Sequence, residues 1–137
     1  MILVDTGPLV ALCEPRDRKH AEAVSHLTDL APRRLLVCEA VLVEACFLLP
    51  DAHHRARLQA VCRELSVEVV ATGDIGFHAD VFAWLLKYAD HVPDWADGCL
   101  AVLSGRHVGA KVWTYDRGFR TTWRRLDGRA IPLAVRA

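Results

Sequence analysis

Nowhere does the chain hold an apolar run approaching the roughly 18 residues of a membrane span, and its first residues lack the basic start of a secretory signal. A membrane-spanning or exported protein is therefore not expected, and the cytoplasm is the expected compartment. The cysteines never cluster: Cys13, Cys38, Cys46, Cys62 and Cys99 are odd in number and mostly sit in apolar surroundings, which predicts reduced core thiols rather than disulfides. The seven histidines lack metal-ligand spacing, and His53-His54 lies in a polar stretch that reads as solvated, so no zinc site is expected. Net charge is also absent, but only by cancellation. Residues 106–137 carry eight Lys and Arg against Asp116 and Asp127, a local +6, which leaves −6 for residues 1–105. An arginine-dominated end beside an acidic remainder suits a site that holds cations and receives a polyanion; a solvated basic surface is the competing reading.

What is present begins with Ile2-Leu3-Val4, an apolar run without polar alternation, as in a strand covered on both faces of a parallel sheet. It ends at a single carboxylate, Asp5, followed by Thr6-Gly7-Pro8, a strand-to-helix switch. The pattern then predicts a short apolar helix over 9–13 and a second over about 18–30. In the second, Ala21, Val24, Leu27 and Leu30 face inward, and Lys19, Glu22, His26 and Asp29 face out. Leu35-Leu36-Val37-Cys38 reads as a strand running directly into a nearly all-apolar helix over 39–49, closed by Pro50. Asp51 is placed to cap the next helix, and a valine-rich strand over 67–71 precedes a helix over about 75–88. Asp94 is placed to cap a helix that begins at Trp95, Lys111-Val112-Trp113-Thr114 is a fourth strand ending at Asp116, and 129–135 a fifth. Strands alternating with helices predict an α/β fold with a doubly wound, mostly parallel sheet of about five strands. At 137 residues and 53% hydrophobic composition, one domain over 1–137 is expected.

Four carboxylates stand out: Asp5 after strand one, Glu44 inside the apolar helix, Asp97 on a helix's first turn, and Asp116 after strand four. In a doubly wound sheet the order reverses between strands one and four, so Asp5 and Asp116 can converge there. Converging carboxylates repel unless they hold a hard divalent cation such as Mg²⁺ or Mn²⁺, which prefers oxygen ligands. Singly, Asp97 and Asp94 can be read as helix caps, and Asp5 and Asp116 as turn formers. Glu44 resists such a reading, because a charge among Val41, Leu42, Val43 and Phe47 is costly unless compensated.

Val4-Asp5-Thr6, Glu39-Ala-Val-Leu-Val-Glu44, Asp94-Trp-Ala-Asp97-Gly-Cys-Leu-Ala and Trp113-Thr114-Tyr115-Asp116-Arg117-Gly118-Phe119 resemble, in order, the four motif blocks of PIN-domain proteins. The length resembles that of the VapC-type toxins of bacterial type II toxin–antitoxin pairs. The resemblance implies a PIN-like fold and a Mg²⁺- or Mn²⁺-dependent endoribonuclease, usually a homodimer, neutralised by a cognate antitoxin protein. By block matching it implies a catalytic and metal-binding set of Asp5, Glu44, Asp97 and Asp116, with Asp94 a further acid and Thr6 and Thr114 supporting. Arg117 and Arg120, which follow the fourth acid, are the expected RNA phosphate contacts. Two positions depart from the pattern. Gly98 replaces a frequent alanine and is expected only to loosen a helix turn. Gly118 replaces a frequent acid, removing an outer carboxylate. Two other readings compete: a PIN-like domain that binds RNA or a partner without cutting, and a phospho-accepting receiver domain. The receiver needs adjacent acids after strand one and an acceptor aspartate ending strand three, where this chain has a lone Asp5 and Ala71-Thr72-Gly73.

Overall fold

The fold starts from β1 (Ile2–Val4), every residue of which is buried. A computed structural model describes residues 1–136. Along the chain come α1 (Thr6–Cys13), α2 (His20–Leu30), β2 (Leu35–Cys38), α3 (Glu39–Leu48), α4 (Ala52–Glu64), β3 (Glu68–Val70), α5 (Ile75–Lys87), α6 (Trp95–Arg106), β4 (Lys111–Trp113) and α7 (Gly118–Thr121), with a 3-10 turn at Ala89–His91. The four strands form one sheet in the order β3-β2-β1-β4. All pairings are parallel, so every carboxyl end lies on the same edge. β1 lies between β2, buried throughout, and β4, buried at Val112 and Trp113, with Val4 paired to Trp113. The reversal point therefore sits between β1 and β4, as the sequence pattern requires.

The expected fifth strand does not form. Within 129–135 only two isolated bridges occur, Val112 with Leu133 and Arg124 with Ala130. Pro132 sits in this segment and its carbonyl accepts from Val112 N at 2.8 Å; lacking an N–H, proline cannot complete a ladder there.

One helix is turned differently from its sequence pattern, and a second takes a face that its sequence does not indicate. In α2 the buried positions are Ala23 and Leu30, whereas Ala21 and Val24 are exposed. His26 turns inward and its Nδ1 meets the Tyr115 hydroxyl at 2.8 Å. In α3 the buried stripe is Val41, Ala45 and then Leu49, at spacings of four, while Val43 and Phe47 are 65% and 83% exposed. A helix apolar all round gives no phase from which to choose its inner face.

The cysteines match the expectation: all five are free, and Cys13, Cys38 and Cys99 are buried. No helix among the described residues is long and apolar enough to cross a membrane.

Candidate active site

The register of β1 and β4 builds the site. Because Val4 pairs with Trp113, the next residues, Asp5 and Thr114, emerge side by side at the sheet edge. Asp5 N donates to Trp113 O at 2.9 Å and continues the ladder by one residue. Asp5 also caps α1, its Oδ1 accepting from Thr6 N at 2.8 Å. Its Oδ2 accepts from the Thr114 hydroxyl at 2.6 Å, and that hydroxyl in turn accepts from Asp116 N at 3.0 Å. One buried threonine thus ties the loop bearing Asp116 to the carboxylate of Asp5. Asp116 is exposed and held by Gly118 N, which donates to its Oδ1 at 2.8 Å.

The other acids arrive on two helices that follow the same edge. Glu44, half-buried, lies in the middle of α3. Asp94 caps α6 and forms a reciprocal box with Asp97: Asp97 N donates to Asp94 Oδ1 at 2.9 Å, and Asp94 N donates to Asp97 Oδ2 at 3.1 Å. The capping reading of both residues is therefore correct, yet it does not exhaust them.

Burial pushes Asp5 up to about 6, against the lowering effect of the hydrogen bonds from Thr114 and Thr6, with the charges of Asp116 and Asp94 adding to the rise. Burial raises Asp97 to about 8, and the charges of Asp94, Asp5 and Asp116 add to it. Glu44 is raised by burial first, then by the charges of Asp94 and Asp5. Five acids from four separate parts of the chain therefore share one electrostatic neighbourhood, in which the charges of Asp5, Asp94 and Asp116 oppose ionisation of their neighbours. Among the described residues no Lys or Arg forms an ion pair with any of the five.

The donor set fits a hard divalent cation. It consists of carboxylate oxygens, and beside them the Thr6 hydroxyl oxygen is buried without a well-formed hydrogen bond. That hydroxyl also acts on Glu44, lowering its pKa against the larger raising effects. The acids do not close into a tight cage: among the described residues the one trio of ligand atoms mutually within 4.8 Å is Asp51, His53 and His54, in a different place. Such spacing suits an ion that retains much of its water, as Mg²⁺ does.

Arg117 and Arg120 are both exposed on the segment after Asp116, and neither side chain makes an ion pair or hydrogen bond among the described residues. Other arginines of this basic segment are engaged. Arg106 pairs with Asp80 at 3.0 Å, and Arg125 donates to the Ser104 carbonyl and hydroxyl. The +6 of this segment is thus only partly available to a polyanion.

Both glycine departures have packing reasons that the sequence does not display. A Cβ on Gly98 would lie 2.9 Å from Val81 Cγ1 and 3.2 Å from Trp84 Cε3, so Gly98 lets α6 press against α5. The expectation that it merely loosens a turn is corrected. A Cβ on Gly118 would overlap Trp123 Nε1 and lie 2.8 Å from Trp123 Cε2, so an acidic side chain there would have to displace a packed indole. The inward His26, bonded to Tyr115 across 89 residues, is the polar neighbour of the site that the sequence pattern places on the wrong face.

The fold and these motifs define a known class, and comparison with known proteins agrees. The profile of the family described as PIN domain matches residues 2–123, so the chain belongs to the PIN-domain family. Among solved structures, the chain is similar to the Mycobacterium tuberculosis toxin VapC20, described as cleaving the sarcin–ricin loop. The TM-score is 0.72 at 23% identity, over 88% of this chain and 93% of that one. No curated protein matches.

Proposed function

We propose that the chain is a single PIN domain, residues 1–137, acting as a metal-dependent endoribonuclease and as the toxin of a type II toxin–antitoxin pair. The observation that carries this reading is Asp5: a buried carboxylate at the central strand's end, bound by Thr114 and set among four further acids, none of them ion-paired with a Lys or Arg among the described residues. Asp5, Glu44, Asp97 and Asp116, with Asp94, would hold Mg²⁺ or Mn²⁺, supported by Thr6 and Thr114. When bound, such an ion supplies Lewis acidity at a phosphate oxygen and makes water easier to deprotonate.

The chain's own groups do the rest. Thr114 fixes the Asp5 carboxylate and, through Asp116 N, the height of the loop after β4. The Asp94–Asp97 box fixes the start of α6. Arg117 and Arg120 place positive charge beside the acids, where they receive backbone phosphates of the RNA. The partners in this reading are an RNA substrate, a second copy of the chain and an antitoxin protein, and the compartment is the cytoplasm. The similarity to VapC20 supports the toxin reading through the fold alone.

Incubation of the purified protein with total RNA, with Mn²⁺ and then with EDTA, followed by mapping of the new ends, tests the reading. Defined ends that appear with Mn²⁺ and stop with EDTA are expected. RNA that stays intact under every divalent ion, while still binding the protein, would favour the non-cutting alternative.

A further inference from the structure

At the far end of α1 from Asp5 lies a second group of metal-ligating side chains. Asp5 caps the start of α1 and Glu14 its end. A helix of 8 residues separates the two groups, about 12 Å at 1.5 Å per residue. Here α4 begins, and its first turn carries Asp51, His53 and His54, one ligand atom from each lying within 4.8 Å of the other two. They line a cavity of about 570 Å³ together with Glu14, Arg16 and Arg57.

The hydrogen bonding of His54 is the informative feature. Its Nε2 contacts the Glu14 carboxylate, which also accepts from Arg16 N at 2.9 Å. With Nε2 turned to Glu14, Nδ1 is the ring nitrogen left to face a ligand. That Nδ1 is buried without a hydrogen-bond partner, and the nearest polar group is the Asp51 carboxylate oxygen at 3.5 Å. A cation between Nδ1 and the Asp51 carboxylate would give both a partner. Glu14 then takes the part that a carboxylate commonly takes behind a metal-bound imidazole, fixing its tautomer and orientation. The His53 ring lies 4.0 Å from that of His54, close enough to supply the third donor.

We propose that Asp51, His53 and His54, oriented by Glu14, form a binding site for a first-row divalent transition ion of the Zn²⁺ class, separate from the acidic cluster at the sheet edge. The charges of Arg16 and Arg57 offset those of Glu14 and Asp51, so the cavity has no net negative field with which to draw a hard cation. What remains is donor chemistry, and two imidazoles with one carboxylate favour Zn²⁺, Co²⁺ or Ni²⁺ over Mg²⁺. Such an ion touches nothing at the sheet edge; its ligands all lie at the start of α4, joined to the end of α1 by the Glu14–His54 contact. Sequence spacing conceals the site, because Glu14 comes from a distant segment and adjacent histidines seldom share a face of a helix interior.

The test uses the full chain carrying Asp5→Asn and Asp116→Asn, which disables the acidic cluster, and titrates it with ZnCl₂ by calorimetry and with Co²⁺ by absorption. One equivalent of Zn²⁺ is expected to bind, with no competition from excess Mg²⁺. Adding His54→Ala should abolish it, and adding Glu14→Gln instead should weaken it by about 10- to 100-fold while all three ligands remain. Should His54→Ala fail to fold by circular dichroism, the exposed His53→Ala gives the same reading. Absence of Zn²⁺ binding in the starting variant, or binding unchanged by either histidine substitution, would overturn the proposal. So would imidazole nitrogen NMR showing both His54 nitrogens protonated at neutral pH, the signature of a plain ion pair with Glu14 and Asp51. None of these outcomes depends on nuclease activity.

Discussion

The Thr114 hydroxyl donates to Asp5 Oδ2 at 2.6 Å across the junction of β1 and β4, while accepting from the backbone N–H of Asp116. This one side chain sets the relative position of two acids that are 111 residues apart in sequence. Thr114→Val keeps the shape and removes both bonds. Mn²⁺ affinity and cleavage are expected to fall by about 10- to 100-fold, the usual cost of losing a group that orients a metal ligand. Thr114→Ser should recover most of it. Full activity in the valine variant would mean that Asp5 needs no such support.

The acid cluster should also govern stability against pH. Burial raises Asp5 from 3.8 to about 6, so the folded chain holds this proton more tightly than the unfolded chain does. The corresponding stability is present in full below pH 4 and lost as the pH rises through 6. It amounts to ~3 kcal/mol at about 1.4 kcal/mol per tenfold change in proton affinity. Asp97, raised to about 8, extends the loss to higher pH. Metal-free protein should therefore melt at a lower temperature at pH 8 than at pH 5, Asp5→Asn should flatten the slope between pH 4 and 6, and Mn²⁺ should restore stability at pH 8. Differential scanning calorimetry at these values, with and without Mn²⁺, reads all three.

Gly98→Ala sets two known effects against each other. Alanine gains about 1 kcal/mol of helix propensity. The new methyl meets Val81 and Trp84, both fully buried and unable to give way, and overpacking costs about 1–3 kcal/mol. A net loss of stability in urea unfolding is expected, and a gain would show that α5 and α6 can separate freely. Gly118→Asp should lose more, because even its Cβ would overlap the Trp123 indole.

Much of this is legible in the sequence, for identifiable reasons. Ile2-Leu3-Val4 and Leu35-Leu36-Val37-Cys38 declare buried parallel strands through the absence of alternation, and from four strands the position of Asp5 beside β4 follows. Glu44 stands out in the sequence because a mid-helix apolar stretch gives a carboxylate little structural work, whereas Asp5, Asp94, Asp97 and Asp116 also serve as caps and turn formers. The facing of α3 and of His26 is not legible, since a uniformly apolar helix has no phase and a contact across 89 residues leaves no local pattern. Nor are the reasons for Gly98 and Gly118, which lie in Val81, Trp84 and Trp123 on other elements.

Arg117 and Arg120 are the residues we propose to contact RNA. Both are exposed and unpaired among the described residues, whereas Arg106 and Arg125 are committed within the fold. In Arg117→Ala, Arg120→Ala the slope of log binding constant against log salt should shrink by about 2, roughly one for each phosphate that is no longer neutralised. Arg106→Ala should instead lower stability with little change in that slope. Fluorescence anisotropy of a labelled RNA over a salt series distinguishes the two.

The most direct test pairs cleavage with stability in the Asp5→Asn variant. RNA is incubated with parent and variant in Mn²⁺, and both are melted without metal at pH 8. If Asp5 is a metal-binding carboxylate held at a cost to the fold, the variant loses cleavage while its metal-free melting temperature equals or exceeds the parent's. A variant that still cuts RNA at the parental rate, or one that is inactive only because it melts well below the parent, contradicts the assignment.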